Sequence, residues 1–262
     1  MNKLFFKDYQ DQKQTIDFIF ENENLIVVNK PAHLPVIPDR LGTYNYNLRD
    51  LIANFLRKEG KLSDVWVIHR LDTDTTGLVL FARNESYHQL MNTMFENREV
   101  EKIYLALVNG KLPSQEGMIN KPILKTVRRM VVHDKGKPSV TSYKLLEEFD
   151  NYSLVQLKPL TGRTHQLRVH LKSINNPLII DPLYNKKEAF YLSEIKKNFH
   201  HKQSDEPRPL CSRLTLHAQR ISFIDPLSKQ PVEFETDVAK DFMAVLKSLR
   251  KYSRHYPEHN SV

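Results

Sequence analysis

The 262-residue chain has one cysteine, Cys211, which excludes an intramolecular disulfide framework and a cysteine-based zinc cluster and fits a reducing compartment. Long apolar runs are also missing. The N-terminal MNKLFFKDYQDQKQT lacks the apolar core of a secretion signal, and no stretch approaches the ~18 apolar residues that suggest a membrane span. Secretion and membrane insertion are therefore not expected, and the cytoplasm is the expected location. No internal repeat and no linker rich in Gly, Ser or Pro divides the chain, so one domain over 1–262 is the simplest expectation, with a core at about 20–235.

Apolar residues make up 40% of the sequence, enough for an ordinary core. Lys and Arg total 39 against 31 Asp and Glu, and the net charge of +8 suits a phosphate-rich partner. Simple solubility would explain the same balance, so charge alone decides nothing.

Short β-branched or alternating segments read as strands at Leu25–Asn29, Leu78–Ala82, Ile103–Val108, Ser139–Leu145, Tyr152–Leu157, Leu214–Ile224 and Val232–Glu235. Glu85–Arg98 reads as a helix after an Asn84 cap, with Tyr87, Leu90, Met91, Met94 and Phe95 as its core stripe. Two more helices are expected at Thr164–Ile174, with Leu167, His170, Leu171 and Ile174 on one face, and over residues 238–249. Strands and helices do not alternate strictly. The pattern favours an α+β fold with a mixed, mainly antiparallel sheet and flanking helices over a doubly wound parallel sheet. Residues 185–209 are polar and irregular, with only a short helical pattern around Leu192–Phe199, and read as a surface insertion.

The densest set of reactive groups is VIHRLDTDTTGLVLFAR, residues 67–83. Asp72, Asp74 and Thr75 spell the D-x-D-x-T of aspartyl-phosphate enzymes, in which one carboxylate attacks phosphorus beside Mg²⁺. There the nucleophile follows an apolar strand directly, whereas here His69, Arg70 and Leu71 intervene. A late acidic pair to complete a metal site is also lacking, since Asp181 stands alone in LIIDPLY.

More of the chain supports another reading. His69-Arg70-Leu71-Asp72 with Thr75-Thr76-Gly77, then Glu101-Lys102-Ile103-Tyr104-Leu105-Ala106-Leu107-Val108, then Leu160-Thr161-Gly162-Arg163-Thr164-His165-Gln166-Leu167-Arg168-Val169-His170 resemble, in order and spacing, the three blocks of the RluA-type pseudouridine synthases. The likeness extends to Leu25–Pro31 ahead and Arg213–Ala218 behind, covering about 20–235. It departs from the pattern at Thr76, where serine is usual, and around Asp181-Pro182-Leu183-Tyr184, where Ile180 and Asn185 replace the usual flanking residues. Because the chain enters the first block almost at once, no separate N-terminal RNA-binding domain is expected.

The resemblance implies an enzyme that isomerises specific uridines in structured ribosomal or transfer RNA. The glycosidic bond from C1′ to N1 breaks, the base turns, and C1′ bonds to C5. Atoms and electrons balance within the nucleotide, so no cofactor and no metal is expected. Asp72 would be the nucleophilic or trapping carboxylate, on sugar or base. Arg168 would pair with it and keep it ionised, and Tyr104 would offer a stacking face and a proton-accepting hydroxyl. Arg70 would fill the place of the extruded base, an extrusion that costs about a few kcal/mol. By the same resemblance His69, Thr76, Arg163 and His165 touch the substrate, while Asp74 is a solvated turn acid. Taken singly, each of these residues has an ordinary structural explanation; their joint occurrence in family order carries the reading.

His165 and His170 are five apart, which does not suit a helical zinc pair, and His200-His201 reads as solvated. Two basic runs, Lys121–Lys137 and Lys247–Arg254, are candidate phosphate contacts beyond the pocket. The expected partner is RNA, with no membrane and no obligate protein partner, the chain acting as a monomer. An idle RNA-binding relative is the alternative from another class; it would lack one of Asp72, Tyr104 and Arg168, and all three are present.

Overall fold

The computed structural model describes residues 2–8, 11–38, 44–62, 64–196, 199 and 208–257, the last three as backbone only. Along the chain the elements run β1 (Lys3–Lys7), β2 (Lys13–Glu21), β3 (Leu25–Lys30), α1 (Leu48–Lys58), β4 (Trp66–Val67), β5 (Thr76–Ala82), α2 (Glu85–Glu96) and β6 (Glu101–Asn109). They continue with β7 (Glu116–Asn120), β8 (Ile123–Lys125), β9 (Met130–Val132), β10 (Val140–Phe149), β11 (Tyr152–Pro159) and α3 (Gln166–Ser173). After a 3-10 turn at Leu192–Glu194 come β12 (Leu216–Ile224), β13 (Pro231–Glu235), α4 (Lys240–Tyr252) and β14 (His255–Pro257). Packing divides the chain into two compact units, Met1–Lys102 with Ala218–Asp237, and Ile103–His217 with Val238–Val262.

In the first unit the strands run in the order β1-β2-β3-β5-β12, with β4 on β5 and β13 on β12. The pairs β1/β2, β2/β3, β3/β5, β4/β5 and β12/β13 are antiparallel. The apolar runs of β3 and β5 are explained by burial on both faces, because successive side chains point to opposite sides of a strand. Leu25, Val27, Leu78 and Leu80 pack with Tyr87, Met91 and Met94 of α2. Ile26, Val28, Val79 and Phe81 pack with Leu48, Ile52 and Leu56 of α1.

The second unit is built on the antiparallel series β6-β11-β10, with β7 and β14 also pairing to β10. Its core joins Leu107, Leu154 and Phe149 to Phe242, Val245, Leu246 and Leu249 of α4. A separate hairpin, β8–β9, packs Ile123, Met130 and Val132 against Val169 of α3 and Tyr184, with Val127 fully exposed near its tip.

The α+β class with a mainly antiparallel sheet is what the residue pattern predicts, and each expected strand is present with shifted ends. Several details differ. Leu90 is exposed, so the apolar stripe of α2 is narrower than expected. That helix ends at Glu96, and Arg98 turns into left-handed backbone at φ 62°. α3 begins only at Gln166, because His165 is left-handed at φ 52°, leaving Thr164 outside the helix and Ile174 as its C-cap. α4 runs two residues later at its start and three at its end than residues 238–249.

Where a helix was expected around Leu192–Phe199, the described residues form a 3-10 turn at Leu192–Glu194. Nor is 185–209 wholly a surface feature: Phe190 is fully buried and bridges backbone to backbone with Cys211. Residues 197–198 and 200–207 of that segment, His200 and His201 among them, lie outside the described residues. Helix α1 and the strands β1, β2, β4, β7, β8, β9 and β14 were not expected from sequence.

Candidate active site

The HRLD segment occupies the loop between β4 and β5, residues 68–75. Its apolar members fix it from below: Ile68 enters the core beneath α2, and Leu71 packs on the core beneath α1. The loop is then tied through its main chain. Lys30, wholly buried at the end of β3, donates from Nζ to the carbonyls of Thr73 (2.8 Å), Leu34 (2.9 Å) and Pro31 (2.9 Å). Charge-assisted bonds of this kind are what make a buried ammonium tolerable. The Leu34 amide donates to the same Thr73 carbonyl, and Thr75 closes the turn by donating from its amide to Asp72 O at 3.1 Å.

At the foot of the turn Gly77 has φ +115°, and a Cβ there would overlap the Ala218 carbonyl oxygen of β12. The glycine of the TTG block is thus required twice, by backbone angle and by close approach.

The turn so held presents Arg70 exposed to solvent and Asp72 partly exposed. Asp74, expected as a solvated turn acid, is partly exposed and also lies 2.8 Å from His33 Nδ1. Thr76 is buried in β5, and the Oγ1 of Thr75 is buried without a hydrogen-bond partner. His69 stacks on Phe95 with centroids 5.2 Å apart, and its Nε2 accepts from the Leu80 amide at 3.2 Å. Burial, with the Lys102 charge adding to it, pushes the imidazole down to about 3. His69 is accordingly neutral, with its proton on Nδ1, and one of its nitrogens serves strand β5.

In the second unit Tyr104 is buried on β6, opposite Leu157 of β11. The block from Leu160 to His170 is organised by Gln166. Its Oε1 accepts from Thr161 Oγ1 (2.7 Å) and the Arg163 amide (3.0 Å), while Nε2 donates to Val140 O and Thr141 Oγ1, each at 3.0 Å. The loop ahead of α3 is thereby fastened to β10, and Arg163 is left exposed. Arg168, on the first turn of α3, is buried and donates through Nε and Nη2 to both oxygens of Asp181, at 2.8 and 2.9 Å.

Asp181 Oδ1 also accepts from the amides of Leu183 and Tyr184, both at 3.0 Å. The Tyr184 ring lies 5.1 Å from the Arg168 guanidinium carbon, and its hydroxyl is 3.1 Å from His165 Nδ1. Asn185, which departs from the family pattern, donates from its side-chain Nδ2 to the carbonyls of Leu178 and Ile179, and the neighbouring Lys186 takes the positive φ of 55°. His170 is buried between Thr141 Oγ1 and Lys121 O, and burial pushes its imidazole down.

Two groups thus emerge, one within each unit: His69, Arg70, Asp72 and Thr76 on the β4–β5 loop and the strand after it, and Arg163, His165 and Arg168 around α3. Sequence reasoning missed Lys30 and Tyr184 and read Asp181 as solitary. The NKP and DPLY blocks were the available signals. Among the described residues no group of three or more His, Cys, Asp or Glu side chains could hold a metal ion, and no helix is long and apolar enough to cross a membrane.

The two basic runs fare differently. Lys125, Arg128 and Arg129 are exposed around the tip of the β8–β9 hairpin, but Lys121 donates to Ser173 O at 2.8 Å. In the C-terminal run Arg250 pairs with Glu147.

Comparison with known proteins agrees with these blocks. The family model described as RNA pseudouridylate synthase matches residues 24–173. "Ribosomal large subunit pseudouridine synthase D" of Zymomonas mobilis is 31% identical over 257 residues, covering 94% of this chain and 76% of that protein. The protein of the same name from Blochmanniella floridana is 32% identical over 253 residues, with 94% and 76% covered. Among solved structures, human RNA pseudouridylate synthase domain containing 4 shares the fold at a TM-score of 0.72 and 24% identity, over 89% of this chain and 92% of that one. The chain belongs to the RNA pseudouridylate synthase family, of the RluA type. It is therefore an RNA-modifying isomerase.

Proposed function

We propose that this enzyme converts uridine to pseudouridine in large-subunit ribosomal RNA, with Asp72 as its catalytic carboxylate and without a cofactor. The observation that carries the site assignment is the anchoring of the Asp72 turn at Thr73 by the buried Lys30 ammonium, with Arg70 exposed two residues earlier. A carboxylate that must meet one atom of an extruded base benefits from a main chain that does not move. The names of the relatives support ribosomal RNA over transfer RNA.

In this reading Asp72 adds to or traps the nucleotide while the bond from C1′ to N1 breaks. C1′ then joins C5, any bond to the carboxylate breaks so that Asp72 is released as the anion, and the C5 proton is removed as N1 gains one. Tyr104 supplies the ring for stacking and the hydroxyl that relays the proton, and Arg168 serves the same reaction by supporting the ionised carboxylate. Arg70 takes the place of the base in its stack. Arg163 and His165 contact the RNA around it, with His69 and Thr76 in the same binding role beside Asp72. Because the balance closes within the nucleotide, the reaction calls for no external redox partner, group donor or metal. The family match crosses the boundary at Lys102, which supports treating both units as one catalytic domain acting on RNA.

The test is to map pseudouridines in ribosomal and transfer RNA from cells with the gene, without it, and with Asp72→Asn in its place. The expected result is the loss of one or a few large-subunit sites in both altered strains. Loss confined to transfer RNA overturns the substrate; full modification by Asp72→Asn overturns the catalytic assignment.

A further inference from the structure

Lys102 is the second residue of β6; it falls in the second sequence block, where the resemblance assigns it no role. It is half-buried, and its Nζ lies 5.0 Å from the centroid of the Phe95 ring, the ring on which His69 of the HRLD segment stacks. Its side chain makes no hydrogen bond or ion pair among the described residues. Other withdrawn cations of the same unit are answered: Arg83 pairs with Glu21 at 3.0 Å, and Lys30 holds three carbonyls.

Burial pushes the Lys102 ammonium down, as expected for a charge taken from water without an anion beside it. An aromatic face offsets only part of that cost. His69, which shares the Phe95 ring with it, is neutral and supplies no counter-charge. The position therefore retains a cation in a place that would suit an apolar residue better. That is the arrangement expected where the anion arrives with a ligand.

The ligand is restricted by where the residue stands. Side chains two apart share one face of a strand, about 7 Å apart along it, so Lys102 lies on the Tyr104 side of β6. We infer that Lys102 binds a backbone phosphate of the RNA, close to the uridine that Tyr104 stacks. The inference rests on the proposed role of Tyr104 for its location, and on the unanswered ammonium for its chemistry. Phosphate contacts by lysine add affinity without reading sequence, and each releases condensed counterions.

The experiment compares Lys102→Met and Lys102→Arg with wild type, using a transcript of large-subunit ribosomal RNA. Affinity is read by filter binding from 50 to 300 mM salt, pseudouridine formation under saturating RNA, and folding by thermal unfolding. Methionine keeps the unbranched stem over Phe95 and removes the charge. Expected for Met are a roughly 5- to 30-fold weaker affinity at low salt and a log–log salt slope shallower by about 0.7 to 0.9. Saturated turnover should be nearly unchanged and Arg should behave as wild type.

Wild-type affinity and slope in Met would overturn the inference, as would equal losses in Met and Arg, which would assign the residue to packing. Because binding is read without turnover, failure of the uridine-isomerase reading would show in the modification map and leave the slope result standing.

Discussion

Lys30 and Arg168 are both buried cations that fasten a functional loop, and they do so in opposite ways. Lys30 grips backbone carbonyls, those of Pro31, Leu34 and Thr73, so its bond to Thr73 of the β4–β5 turn does not depend on the side chain carried there. Arg168 grips a side chain: both oxygens of Asp181 are engaged by its guanidinium, and the same carboxylate gathers the Leu183 and Tyr184 amides. In the first region the grip of Lys30 is on the main chain, with the Asp74 side chain adding a contact to His33, and the exposed Arg70 and partly exposed Asp72 are where chemistry can be placed. In the second the charge is itself scaffold, and any role of Arg168 in the reaction must be shared with its structural one.

The largest effect that would test this contrast belongs to Asp72, the acid that the main-chain anchor presents. Asp72→Asn should lower turnover by about 10⁴-fold or more, the scale seen when a nucleophile is removed, with RNA affinity and melting temperature close to wild type. Single-turnover assays with parallel binding and melting curves read all three. A large drop in melting temperature would place Asp72 in the scaffold and erase the distinction.

Next in size are the anchors. Lys30→Met leaves three carbonyls without their donor, and Asp181→Asn removes a carboxylate from a buried pair; each should cost about 3 kcal/mol or more. For a chain of this size that is a fall of roughly 6 to 12 °C in melting temperature. The contrast is sharpened by Thr73→Ala, which keeps the carbonyl that Lys30 uses and should melt within about 2 °C of wild type. If Thr73→Ala were as damaging as Asp181→Asn, the first loop would be held by side chains after all.

Much of this was legible in the residues and some was not, for physical reasons. Continuous apolar runs such as Leu78–Ala82 and the Asn84 cap announce their elements because the signal is local. Helix α1 was equally legible, with Asn47 accepting from the Asp50 amide and Leu48, Ile52 and Leu56 spaced along one face, and was overlooked for want of a chemical motif nearby. The HRLD block gave the positions of Arg70 and Asp72 but not what holds them. Lys30 reaches Thr73 across 43 positions, and Arg168 reaches Asp181 across 13, and no periodicity encodes such a meeting. A left-handed residue at His165 also defeats propensity, which places Thr164 inside a helix that the backbone starts two residues later.

A smaller effect comes from His69, which has a backbone donor on Nε2 and titrates. Its imidazole binds a proton in the unfolded chain near 6.5 but in the folded one only near 3. Between those values the unfolded state holds more protons, so stability rises with pH across that window and is lost as pH falls through it, by at most about 1.4 kcal/mol per pH unit. His69→Gln, whose amide oxygen can accept from Leu80, should flatten that part of the profile. Denaturant unfolding of both proteins from pH 4 to 7 measures it, and parallel profiles would mean that the imidazole is not withdrawn from water as the stacking on Phe95 implies.

The smallest effect concerns Thr75, at the end of the turn that Lys30 secures. Its amide is used, donating to Asp72 O, but its buried hydroxyl has no partner. A buried hydroxyl without a hydrogen bond costs about 1 to 3 kcal/mol of desolvation, and valine has nearly the same shape without that cost. If the turn is held by main-chain bonds alone, Thr75→Val should be neutral or stabilising by about 1 kcal/mol, a rise of roughly 2 to 4 °C, because the packing change offsets part of the gain. Turnover should stay within about threefold of wild type on the same grounds. A lower melting temperature would show that the hydroxyl makes a stabilising bond in solution, so that side chains share in anchoring this loop as they do around Arg168. Unchanged melting with a large loss of turnover would instead give the hydroxyl a task in the reaction, performed for Asp72 or for the RNA.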